Sequence, residues 1–175
     1  LVIISPNDPD GMVQWAEECA AMGVKYIWDP GQQCARMEGS QLKSGVMGAF
    51  MVICNDYEFE LIRQKTGMGE AEILKHVPLL VVTHGEKGSA IHTRDGVVQV
   101  PAVTPHRIED PTGVGDAFRG GFMKGLAMRA SYTVCAQLGS VAATYALEHL
   151  GGTSHAYTWD EFSARYEQHF GKLQA

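Results

Sequence analysis

Short apolar runs alternate with stretches of helical spacing, and this alternation restricts the fold more than any other feature of the chain. Residues 1–5, 24–28, 50–54 and 79–83 are runs rich in branched and aromatic residues, the composition of strands buried on both faces. Between the first two, Pro6-Asn7-Asp8-Pro9-Asp10-Gly11 reads as a loop. Met12, Trp15, Ala16, Cys19 and Met22 then fall at helical spacing, and Gly23 closes the helix. A weaker helix is predicted over 41–46, a longer one from Asn55 to about Thr66 ending at Gly67, and a short one over 70–76. The period then changes. Residues 89–93 and 97–100 flank Asp95-Gly96, a two-residue hairpin signal. Two long helices follow over 113–129 and 132–149, the second with Val134, Leu138, Val141 and Tyr145 on one stripe. A last helix starts at Thr158, where Glu161 completes a capping box and Trp159, Phe162, Tyr166 and Phe170 form the inner face. Strands alternating with helices predict an α/β fold with a mainly parallel sheet and helices on both faces. Ligands of such sheets bind beyond the carboxyl ends of the strands. The loops after Trp28, Cys54 and Thr83 and before Gly113 are therefore where chemistry is expected.

At 175 residues the chain fits one α/β domain over 1–175. A net charge of −6 without a basic patch argues against nucleic-acid or anionic-membrane partners. The longest uncharged apolar stretch, 45–54, is far too short to span a bilayer. Cys19, Cys34, Cys54 and Cys135 lack paired spacing and read as free thiols of a reducing cytosol. The seven histidines form no zinc motif. The opening run Leu1-Val2-Ile3-Ile4-Ser5, without an initiator Met or a basic leader, reads as a chain entered mid-domain.

The segment richest in chemistry is Asp110-Pro111-Thr112-Gly113-Val114-Gly115-Asp116-Ala117-Phe118. Glycines just ahead of a helix let successive N–H groups converge, and the helix dipole adds positive potential at the same point. The convergence suits a phosphoryl group in transit, and Asp116, one turn in, is placed to take a proton from an attacking hydroxyl. A plainer reading makes Asp110 a cap, Pro111 an early-turn residue and Asp116 a partner of the dipole. The segment is not a dinucleotide fingerprint, since Phe118 stands where a third glycine belongs, and the chain has no P-loop.

The string DPTGVGDAFRGG resembles the C-terminal motif of the ribokinase-like (PfkB) carbohydrate and nucleoside kinases, D-T-x-G-A-G-D-x-F-x-G-G, with Pro111 for Thr and Val114 for Ala. The resemblance makes Asp116 the general base and Gly113, Val114 and Gly115 the backbone anion hole. Asn55-Asp56-Tyr57-Glu58 has the form of a capping box. It also matches the family's N-x-x-E motif, whose Asn55 and Glu58 would hold magnesium-bound water and phosphate. Thr83-His84-Gly85-Glu86-Lys87-Gly88 is a glycine-rich turn. It matches the family's T-x-G-x-x-G loop along the nucleotide through Thr83, Gly85 and Gly88. Asp110 and Thr112 occupy positions that touch a monovalent cation in some relatives. Asp29-Pro30-Gly31-Gln32 and Gly151-Gly152-Thr153-Ser154-His155 look like bacterial adenosine-kinase-type members. Gly120, Gly121 and Gly125, each costing about 1 kcal/mol against Ala in a helix, read as close-packing positions.

The resemblance runs along the whole chain in the order of the family's C-terminal half. It implies ATP, Mg2+ and a sugar or nucleoside acceptor in the cytoplasm. The N-terminal half, and a lid able to form a homodimer interface, would lie outside this sequence, and the chain alone is expected to be inactive. The rival expectation is a regulatory protein of the same fold that binds nucleotide without turnover.

Overall fold

Parallel pairing of buried strands organises the first part of the chain in the computed structural model, which describes residues 1–173. Strands β1 (Val2–Ile4), β2 (Tyr26–Trp28), β3 (Met51–Asn55) and β4 (Leu79–Thr83) pair in parallel in sequence order. The sheet continues through β5 (Ser89–Thr93) and β6 (Gly96–Val100) to six strands in the order β1-β2-β3-β4-β5-β6. Helices α1 (Pro9–Ala21), α2 (Gly39–Val46), α3 (Asp56–Thr66) and α4 (Glu70–His76) lie between the parallel strands in sequence, and α5 (Val114–Ala127), α6 (Tyr132–Leu147) and α7 (Trp159–Phe170) follow the sheet. The α/β fold with a mainly parallel sheet is therefore as expected from the alternation.

The chain divides into two compact units, residues 1–84 with 90–98, and residues 85–89 with 99–175. In the first, Tyr26, Trp28, Met12, Leu42, Ile62 and Leu80 are buried in one apolar cluster. Gly45 of α2 lies against the Trp28 indole, where a Cβ would come within 2.1 Å of the ring. In the second, α5 and α6 approach along glycines: a Cβ at Gly121 would meet the Leu138 carbonyl oxygen at 2.5 Å, and one at Gly125 the Cys135 Cα at 2.7 Å. Backbone proximity thus offsets the helix-propensity cost of those two glycines. Gly120 differs, since the space around it is open. Leu138, Val141, Phe162 and Tyr166 form the core beside this seam.

Four local expectations change. Helix α1 begins at Pro9 within the expected loop, because Asp8 accepts a hydrogen bond from the Gly11 N–H (3.1 Å) and Pro9 needs no donor at the first position. Residues Gly31–Ala35 after β2 form a 3-10 turn. The hairpin turns at Arg94-Asp95 with Gly96 already in β6, because the Thr93 hydroxyl accepts from the Asp95 N–H and donates to the Gly96 carbonyl (3.2 Å each). Trp159 is 49% exposed instead of lying on the inner face of α7, and its ring stacks on Phe162. Among the described residues no helix is long and apolar enough to cross a membrane.

Candidate active site

Within the first unit, the parallel register sets Asn55 directly beside Thr83 at the carboxyl ends of β3 and β4. Asn55 caps α3 reciprocally with Glu58: Asn55 Oδ1 accepts from the Glu58 N–H (2.8 Å), and Glu58 Oε2 accepts from the Asn55 N–H (2.9 Å). The capping reading of Asn55 and Glu58 is therefore realised. Both side chains remain half-buried, and Asn55 Nδ2 and Glu58 Oε1 have no hydrogen-bond partner among the described residues. Burial, followed by the nearby charge of Glu58, pushes the Cys54 thiol well above its usual range. The same causes raise Cys34 to about 12. These thiols are apolar filling beside the carboxylate and are not nucleophiles. Asp29, at the end of β2, is fully buried and accepts from the Ser5 hydroxyl (3.1 Å). No group of three or more His, Cys, Asp or Glu able to hold a metal occurs among the described residues. A single half-buried carboxylate with one unengaged oxygen suits magnesium held through water, since that ion keeps several waters and takes its remaining ligands from phosphates.

The boundary between the units passes through the glycine turn, with Thr83 in the first and Gly85 and Gly88 in the second. Gly85 has φ 58° and open space around it, so the protein backbone is open to a ligand's close approach there. Gly88 is different. A Cβ at this position would come 2.0 Å from the Val100 carbonyl oxygen, so the protein's own backbone explains this glycine.

Within the second unit, Asp110 folds the loop ahead of α5. Its Oδ1 accepts from the Thr112 N–H (2.8 Å) and its Oδ2 from the Gly151 N–H (2.9 Å). Hydrogen bonds from the Thr112 side chain and backbone, then from Gly151, hold the Asp110 carboxyl below its ordinary range. The carboxylate associated by resemblance with a monovalent cation is thus engaged at both oxygens by backbone donors. Gly113 caps α5 in the left-handed region (φ 77°, ψ 0°), and a Cβ there would lie 2.6 Å from Gly152 Cα. The two-glycine turn after α6 therefore lets the motif loop close on it. Gly113→Ala is expected to cost about 2–4 kcal/mol, adding left-handed strain to overpacking. Gly120→Ala, in open helix, should gain about 0.5–1 kcal/mol. Denaturant unfolding of both variants checks the contrast.

The first turn of α5 carries the remaining candidates. The Val114 N–H donates to the Pro111 carbonyl at a long 3.4 Å, while the N–H groups of Gly113, Gly115 and Asp116 have no protein acceptor among the described residues. Val114 is therefore the most engaged amide of the expected hole, and the Asp116 amide is a further unengaged donor beside Gly115. The Asp116 side chain is 77% exposed and its carboxylate is bonded to the Arg119 guanidinium. Unengaged amides at the positive end of a helix, beside an outward-facing carboxylate, can bind an anion and accept a proton at adjacent points. The i,i+3 spacing of Arg119 from Asp116 is a signal of this pairing that the sequence itself carries.

The sequence pattern of the pfkB family carbohydrate kinases matches residues 2–159. The solved nucleoside kinase of Burkholderia thailandensis in complex with inosine is 40% identical, with a TM-score of 0.95 over 99% of this chain and 58% of that one. A nucleoside kinase of Methanocaldococcus jannaschii is 29% identical over 97% of this chain and 56% of its own length. A cytidine kinase of Thermococcus kodakarensis is 34% identical over 86% of this chain and 56% of its own. The chain thus spans about half the length of these relatives.

Proposed function

Because the chain belongs to the pfkB family of carbohydrate kinases, we propose that it supplies the nucleotide and phosphoryl-transfer portion of an ATP-dependent nucleoside kinase. The observation that carries the proposal is the first turn of α5, where unengaged amides of Gly115 and Asp116 stand beside an exposed carboxylate in the order of the family motif. The nucleoside preference draws on relatives named for nucleosides and cytidine and on the inosine complex.

In this reading the acceptor's primary hydroxyl oxygen attacks the γ-phosphorus of ATP. A new O–P bond forms as the bond to the bridging oxygen of ADP breaks, and the hydroxyl proton passes to Asp116. The amides of Gly113, Gly115 and Asp116, with a smaller share from Val114, stabilise charge on the transferring group. Thr83 and Gly85 would contact the nucleotide, as the match to the family's T-x-G-x-x-G loop implies. Asn55 and Glu58 would hold a magnesium ion through its waters, and that ion would supply positive charge against phosphate. Most of the barrier reduction comes from positioning and electrostatics, because phosphoryl transfer leaves the protein little covalent chemistry to perform.

The test uses the complete polypeptide that carries this chain, with Mg2+, γ-labelled ATP and inosine, cytidine, adenosine, ribose and fructose as acceptors. Label is expected in nucleoside monophosphate. ATP binding without transfer to any of these acceptors would place the protein with non-catalytic nucleotide binders. Transfer to ribose or fructose alone would overturn the nucleoside assignment and leave the kinase chemistry standing.

A further inference from the structure

We infer that Arg119 is a positioning residue of the transfer site, offsetting the charge of Asp116 beside the bound polyphosphate; this rests on the kinase reading above. Arg119 lies one turn beyond Asp116 on α5 and donates from Nη2 to Asp116 Oδ1. Its side chain is only 19% exposed, against 77% for its partner. The guanidinium folds back toward the start of the helix, where Nη1 would lie 3.3 Å from a Cβ at position 115. Glycine at 115 therefore leaves room for the cation as well as for a close phosphate.

An i,i+3 pair by itself adds little to a helix, and a cation drawn toward the positive end of the dipole loses part of that. The worth of this pair to the helix is therefore a poor explanation for its placement at the motif. The chemistry supplies a better one. A general-base carboxylate next to an ATP polyphosphate repels it, and the closer the base stands to the reacting oxygen, the larger the repulsion. A guanidinium held against that carboxylate cancels the repulsion while leaving Oδ2 to accept the proton. Fixing Oδ1 also fixes the direction in which Oδ2 points.

The experiment is a double-mutant cycle in the complete polypeptide, comparing Arg119→Gln, Asp116→Asn, the double variant and Arg119→Lys by calorimetric ATP binding, kcat and melting temperature. Arg119→Gln is expected to weaken ATP binding about tenfold, the effect of leaving one charge uncompensated near the surface. Arg119→Lys should recover most of that loss. The double variant should bind ATP within about threefold of the unaltered protein, since removing the carboxylate removes the charge to be offset. Unchanged ATP affinity in Arg119→Gln would overturn the inference. So would a double variant as weak as Arg119→Gln, which would mean that the arginine touches phosphate itself or that the fold is damaged. Failure of the kinase reading is seen separately: the unaltered protein would then transfer no phosphoryl group, and this inference would fall with it.

Discussion

Asp116→Asn, made in the complete polypeptide, is expected to lower turnover about 10²–10⁴-fold, the usual worth of general base catalysis, while ATP binding is kept or tightened, by up to about tenfold, because the Arg119 charge is then uncompensated. Asn keeps the shape of the carboxylate but cannot take the hydroxyl proton. The anion hole consists of backbone N–H groups, which the substitution leaves in place. The side chain is exposed, so the fold should be unaffected and the loss should fall on kcat. Steady-state kinetics beside calorimetric ATP titration separates the two quantities. Full activity in the variant would remove Asp116 from the mechanism. A parallel loss of ATP affinity would show that the carboxylate acts on binding instead.

The largest expected stability effect lies behind the motif loop. Glu148, at the end of α6, meets Arg165 of α7 through two hydrogen bonds of 2.7 and 2.6 Å. The pair is nearly closed off from water, with side chains 9% and 7% exposed. Glu148 also accepts from the His106 N–H (2.6 Å), and its carbonyl accepts from Arg107 Nε (3.2 Å). The segment leading to the motif loop is thereby tied to both helices. Arg165→Ala should cost about 3–5 kcal/mol, because it strands a buried carboxylate. Replacing both partners by apolar residues of similar volume should cost much less. Denaturant midpoints measure both, and a single substitution costing under about 1 kcal/mol would show that the pair is dispensable.

The same pair sets a pH dependence. The Arg165 hydrogen bonds hold the Glu148 carboxyl below its ordinary 4.5. A folded-state pKa below the unfolded one means that this stabilisation is complete above the ordinary value and is lost as pH falls through the lowered one. The midpoint difference between the unaltered protein and Glu148→Gln should therefore narrow as pH drops below 4.5. A constant difference down to acid pH would contradict the assignment.

Much of the local structure could be read directly. Helix α4 and strand β4 fall where periodicity put them, and Asn55, Thr158 and the glycine after Thr66 act as the caps and stop their residue types imply. Such features depend on contacts within one or two turns, so nearby residues carry the information. The early start of α1 could have been found in the same way, since Asp8-Pro9 is itself a helix-start signal. The place of Trp159 could not, because helical spacing alone does not say where the apolar stripe ends.

What the sequence by itself determined is the alternation of elements, their caps and the linear motif around Asp116, each a property of neighbours along the chain. Only the tertiary structure decided that Asn55 stands beside Thr83, that Gly113 and Gly152 make room for one another, and that Gly88 serves the protein's own backbone. Only there does Glu148 become the clamp behind the motif loop. These are contacts between residues far apart in sequence, fixed by strand register and by the space that packing leaves, and no local pattern encodes which distant atoms will fill that space.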